Sequence, residues 1–129
     1  MNLLLDTHVL LWAAGEPEKL PPSFSALVVD NGNRLFYSPA SLWEIAIKRS
    51  LGRDDFQVDL RRLWRMLPLN GYHELPITGS HAVAVDTLPK LHKDPFDRIL
   101  LAQALVECLT LLSVDQALIQ YSEPVFQMN

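Results

Sequence analysis

Short, wholly apolar runs alternate along the chain with longer amphipathic stretches, and this alternation predicts an order of strands and helices. Leu3-Leu4-Leu5 reads as a buried strand that stops at the N-cap pair Asp6-Thr7, and His8 to Ala14 continues as a helix up to Gly15. After a Pro-rich connection, Ser23 to Asp30 suits a second helix. Arg34 to Ser38 reads as a strand halted by Pro39, which opens a helix carrying Lys48 and Arg49 near its end and Gly52 as its stop. Asp59 to Leu67 sets Leu60, Leu63, Trp64 and Leu67 on one helical face. Tyr72 to Ile77 is expected at a sheet edge, because Pro76 cannot donate to a central ladder. A short helix capped by Thr78 or Ser80 follows. The strongest helix signal begins at Asp94, with Pro95 at its first position and Asp97 at its third, and runs to Cys108. Leu109 to Ser113 is a strand, Val114 to Tyr121 a short helix, and Pro124 to Met128 a last strand. Such an order specifies an α/β fold: a mostly parallel sheet of about four to five strands, with helices on both faces and ligands at the carboxyl ends of the strands.

Composition narrows the class without naming a chemistry. The 129 residues suit a single domain, 49% hydrophobic content provides a core, and no stretch is repetitive or low in complexity. One cysteine, Cys108, excludes an intrachain disulfide, fits a reducing cytoplasm, and is expected as a small buried hydrophobe. The apolar N-terminus lacks a basic leader, Asp6 interrupts it, and Glu16-Pro17-Glu18 follows in place of a cleavage site, so a secretory signal is not expected. No run approaches the roughly 20 apolar residues of a membrane span. A net charge of −4 means that any polyanionic substrate needs cations supplied locally, by side chains or by metal.

The candidate chemistry lies in the acids. Asp6 ends the first strand, Glu44 lies about two turns into the helix after the second, Asp94 and Asp97 open the strongest helix, and Asp115 follows the strand Leu109 to Ser113. All fall at one edge of the predicted sheet, and most stand alone among apolar neighbours. Asp6, Asp94, Asp97 and Asp115 can each be read as helix-capping residues, worth about 0.5–2 kcal/mol apiece. Glu44 is too deep in its helix to cap. Several like charges at one edge would repel unless a divalent cation neutralised them, and oxygen donors without a Cys or His cluster suit Mg²⁺ or Mn²⁺, not Zn²⁺.

The stretches LLLDTHVLLW, SPASLWEIAIK, LPITGSHAVAV, HKDPFDRILLAQAL and LTLLSVDQAL together resemble the PIN-domain ribonucleases, specifically the VapC-like toxins of type II toxin–antitoxin pairs, over essentially the whole chain. The resemblance implies a single PIN domain over residues 1–129, a three-layer α/β/α sandwich, and metal-binding acids at Asp6, Glu44, Asp97 and Asp115, with Asp94 auxiliary. It further implies an Mg²⁺- or Mn²⁺-dependent endoribonuclease that cuts single-stranded or loop RNA with metal-activated water, leaving 5′-phosphate and 3′-hydroxyl ends. The implied partners are a second copy of the chain, forming a homodimer, and a cognate antitoxin, through which alone operator DNA would be engaged. Thr7 either caps its helix or bonds a neighbouring carboxylate. Lys48, His92 and Arg98 are candidate substrate contacts, weighed against a solvated helix end for Lys48 and a structural role for Arg98. His8 is expected to be structural, and Arg61, Arg62 and Arg65 a solvated face. Trp12, Trp43 and Trp64 are expected in the core or a dimer interface. The competing readings are an inactive PIN-like module that acts by binding protein, and a magnesium-dependent phosphatase; against the latter, His8 stands where a second Asp would be required.

Overall fold

The computed structural model describes residues 1–90, 93–121 and 123–127. Strands β1 (Asn2–Leu5), β2 (Arg34–Tyr37), β3 (Tyr72–Glu74) and β4 (Thr110–Leu112) form a four-stranded parallel sheet in the order β3-β2-β1-β4. Around it pack helices α1 (Thr7–Gly15), α2 (Pro22–Val29), α3 (Pro39–Ser50), α4 (Leu60–Leu69), α5 (Gly79–Val85), α6 (Pro95–Val106) and α7 (Gln116–Ile119). Short 3₁₀ turns occupy Pro17–Lys19 and Asp54–Phe56.

Why β1 is an unbroken leucine run follows from its place in the sheet. Successive strand residues face opposite sides, and a parallel sheet is covered on both. Leu3 and Leu5 join Val9 and Leu10 of α1, Phe24 of α2 and Leu67 of α4 in one core cluster. Leu4 points the other way, into a second cluster built from Leu100, Leu101 and Ala104 of α6 and Leu118 of α7, with Ala84 and Val85 of α5 against it. Two cores on either side of one sheet make the three-layer sandwich. A third, smaller cluster of Leu11, Ile45 and the buried Phe56 fastens α3 and the Asp54–Phe56 turn to α1.

Helix starts follow the cap chemistry. Ser38 caps α3 through Ala40 N–H with Pro39 at the first position, Asp59 caps α4 through Arg62 N–H, and Thr78 and His81 cap α5 reciprocally. Two expectations are corrected. Pro124 to Met128 is not a strand: among its described residues only Val125 pairs, in a single parallel bridge to Leu111, and Pro124 has no N–H with which to extend a ladder. Cys108 is exposed rather than buried, because α6 ends at Val106 and Cys108 takes a left-handed φ of 57° in the turn into β4. Of the three tryptophans expected in the core or a dimer interface, Trp12 packs partly buried on the first cluster, and Trp43 and Trp64 are 65% and 47% exposed, which leaves the interface for them.

Leu4 sits at the centre of the second cluster with no solvent exposure. Leu4→Ala is expected to cost about 2–5 kcal/mol in urea unfolding, as a cavity in a core that cannot fully collapse.

Candidate active site

Strand order fixes where a site can form. The chain runs outward from β1 to β2 and β3, then crosses back to place β4 on the other side of β1, so the carboxyl ends of β1 and β4 flank a topological switch point. Asp6 is the first residue beyond β1, and its backbone N–H donates to Leu112 O of β4 at 3.1 Å. Ser113 and Asp115 follow β4 directly, and α3 and α6 bring acids in from either side.

Asp6, Glu44, Asp94, Asp97 and Asp115 all line one pocket of about 240 Å³, together with Thr7, His8, Lys48 and Val114. The cap reading and the clustering hold at the same time, because a carboxylate has two oxygens. Asp6 Oδ1 accepts Val9 N–H at 2.9 Å. Asp94 Oδ1 accepts the N–H groups of Phe96 and Asp97 at 2.8 and 3.2 Å, and Asp115 Oδ1 accepts that of Ala117 at 2.9 Å. The acids thus start the helices and still face a common space. The N-termini of α1 and α6 also point their positive dipole ends at it, offsetting part of the repulsion.

Asp6 carries the largest electrostatic strain. It is 5% exposed, and burial pushes its carboxyl from the ordinary 3.8 up to about 6, against the opposing effects of hydrogen bonds from Ser113 and Val9 and the charge of His8. Nearby Glu44 raises it further. Glu44 itself is buried. Its Oε1 accepts the Thr7 hydroxyl at 2.6 Å, with Ser41 Oγ 3.1 Å from the same hydroxyl, and its Oε2 is paired with Lys48 Nζ. Thr7 therefore contacts the carboxylate and does not cap its helix; Asp6 does that.

The remaining candidates separate. Lys48 is in the pocket. Arg98 is turned toward α5, where it donates to Val85 O at 2.9 Å and helps hold α5 against α6, and it does not line the pocket. His92 lies outside the described residues. His8 is on the rim, its Nε2 3.1 Å from Asp55 Oδ2 and its ring tilted against Trp12 and Phe56; this bond, first among the causes, lowers the Asp55 carboxyl below its usual range. Arg61, Arg62 and Arg65 are exposed along α4. Two serines escaped the reading of the sequence. Ser113 Oγ accepts Asp115 N–H at 3.0 Å while its hydroxyl bonds Asp6, linking the two strand ends. Ser41 supports Thr7, and its position one turn before Glu44 on α3 was the available signal.

The donor set is oxygen only, and a desolvated Asp6 beside further acids is the environment that a hard divalent cation relieves, so these residues fit such an ion. Among the described residues no three acidic or imidazole side chains stand as a finished ligand cage, and Glu44 is held to one side by Thr7 and Lys48.

A PIN domain family model matches residues 3–124, and the chain belongs to the PIN domain family, a family of nucleases that generally use divalent metals. Three solved structures share the fold. VapBC2 from Rickettsia felis, bound to a DNA fragment from its promoter, matches with a TM-score of 0.66 and 16% identity over 95% of this chain and 92% of that one. VapBC-1 from nontypeable Haemophilus influenzae matches with a TM-score of 0.65 and 17% identity, covering 100% and 98%. A toxin–antitoxin complex from Klebsiella pneumoniae gives 0.59 and 19% identity, covering 97% and 96%. No curated protein sequence matches the chain significantly.

The raised Asp6 carboxyl has a pH signature. From pH 3.8 to about 6 the folded protein keeps a proton that the unfolded chain has lost, so metal-free stability falls as pH rises through this window, by about 3 kcal/mol in all. Asp6→Asn keeps an oxygen for the cap and carries no charge. In EDTA at pH 7.5 it is expected to stabilise the fold by about 1–3 kcal/mol and to flatten the pH dependence of urea unfolding; a less stable variant would contradict the assignment.

Proposed function

We propose that the protein is the toxin of a type II toxin–antitoxin module and acts as an Mg²⁺- or Mn²⁺-dependent endoribonuclease on single-stranded or loop RNA. The observation that carries this reading is the convergence of Asp6, Glu44, Asp94, Asp97 and Asp115 on one pocket at the switch point of a PIN fold. Asp6, Glu44, Asp97 and Asp115 would hold the divalent ion. Asp94, committed to the start of α6, keeps Asp97 in place. A divalent cation bound there supplies Lewis acidity, activating water and offsetting charge on the scissile phosphate.

The chain's own residues prepare that chemistry. Thr7 fixes the rotamer of Glu44, Ser113 ties Asp6 to the end of β4, and first-turn backbone N–H groups of α1 and α6 hold the Asp6 and Asp94 carboxylates in place. Water activated by the ion requires no nucleophilic side chain, and its attack would leave 5′-phosphate and 3′-hydroxyl products. Lys48 and His8 bring positive charge or hydrogen-bond donors to the pocket of a chain with a net charge of −4. The fold shared with chains of VapBC complexes supports an antitoxin as partner, with operator DNA engaged through that complex. A homodimer is consistent with the exposed Trp43 and Trp64. No helix among the described residues is long and apolar enough to cross a membrane, and a cytoplasmic site of action follows from the proposed role.

Purified protein is expected to cleave cellular RNA in Mg²⁺ or Mn²⁺ and to stop in EDTA. Asp6→Asn, Glu44→Gln and Asp97→Asn should each lower the rate by at least about 100-fold, read by mapping 5′-phosphate ends. Absence of metal-dependent cleavage of any cellular RNA would favour a binding module without activity. Expression of the chain alone is expected to arrest growth, with rescue by the product of an adjacent antitoxin gene; growth without arrest would count against the toxin role and leave the nuclease chemistry standing.

A further inference from the structure

Lys48 and Glu44 are four residues apart on α3, and their pairing differs from an ordinary helix-surface ion pair. Their side chains are 21% and 5% exposed, against 53% and 54% for Lys19 and Glu16. The Lys48 ammonium also sits 5.1 Å from the ring centroid of the fully buried Phe56, a cation–π position that fixes it at the edge of the acidic pocket. Arg53 lies over the same ring at 5.5 Å but pairs with the exposed Asp55. Both Glu44 oxygens are therefore occupied, Oε1 by the Thr7 hydroxyl and Oε2 by Lys48.

Resting on the divalent-cation site proposed above, we infer that Lys48 is a built-in counter-ion for Glu44, which a divalent cation displaces, and that the released ammonium then serves the substrate phosphate. Each Glu44 oxygen keeps a lone pair beyond the one donor it accepts, but an ion reaching Oε2 would meet the ammonium already beside it. Bringing a dication up to Glu44 also places two positive charges against each other, so the pair and the metal complex compete. The flexible four-carbon stem of lysine allows the ammonium to turn outward while its methylenes stay near Phe56. A phosphate at the pocket mouth is a suitable new partner for it. By reciprocity, metal and substrate then each favour binding of the other.

Calorimetric titration of Mn²⁺ into wild type, Lys48→Met and Arg53→Gln tests the exchange without relying on catalysis. Methionine keeps the apolar stem, and Arg53→Gln removes a nearby charge that does not touch Glu44. Lys48→Met is expected to bind Mn²⁺ at least about threefold tighter than wild type, with Arg53→Gln within roughly twofold. A crystal structure with Mg²⁺ bound is expected to show Lys48 Nζ away from Glu44. The inference is overturned if Lys48→Met binds no tighter than wild type, if Arg53→Gln tightens binding equally, or if the loaded site keeps the ion pair. Those outcomes leave the divalent site intact. Failure of both wild type and Lys48→Met to bind Mn²⁺ would remove the divalent site and the exchange together.

Discussion

The structure turns on a carboxylate held out of water. Asp6 is pinned at the end of β1 by its backbone bond to β4, closed in by α1, and left 5% exposed beside Glu44. Burial is the chief reason that its carboxyl rises to about 6, with the Glu44 charge adding to it, and the cost, about 3 kcal/mol, is a large share of a domain's 5–15 kcal/mol of stability. A fold that assembles acids in this way must supply compensation nearby. Part of it is visible in the Val9 cap, the Ser113 bond, the helix N-termini and the Lys48 ammonium. The raised Asp6 carboxyl shows that the compensation is incomplete within the chain itself, and a divalent cation is what would complete it.

What keeps the acids together is the rest of the molecule. Two apolar clusters clamp the sheet from both sides, and a third locks α3 to α1. Because these cores set the positions of the strand ends and of the first turns of α1 and α6, the carboxylates cannot relax apart without disturbing close-packed side chains. The caps add to this: one oxygen of Asp6, Asp94 and Asp115 is committed to backbone N–H groups, so the same residues that start helices also fix the geometry of the pocket. Structural and chemical roles coincide in single side chains.

The distribution of charge suits a selective site better than broad attraction to polyanions. The chain is acidic as a whole, and among the described residues Lys48 and His8 line the pocket and, with Arg53, meet the Phe56 ring. Arg98, adjacent to Asp97 in sequence, donates to the α5 carbonyl of Val85.

Local chemistry made much of this legible from the residues alone. Apolar runs, periodicity and Pro or Asp caps specify the order of strands and helices because each depends on neighbours within a turn or two, and that order places the carboxyl ends of the strands on one edge. Asp6, Glu44, Asp94, Asp97 and Asp115 could be singled out because acids among apolar neighbours at one sheet edge require compensation, and the family resemblance narrowed the expected metal-binding set to Asp6, Glu44, Asp97 and Asp115. Other features were decided only by what packs across the fold. The exposure of Cys108, Trp43 and Trp64, the collapse of the last predicted strand to one bridge, the turning of Arg98 toward Val85, and the linking role of Ser113 all depend on groups brought together from distant parts of the chain. Composition and spacing define which side chains are available; the direction each one faces is settled by tertiary packing, since a side chain adopts the rotamer its neighbours leave open.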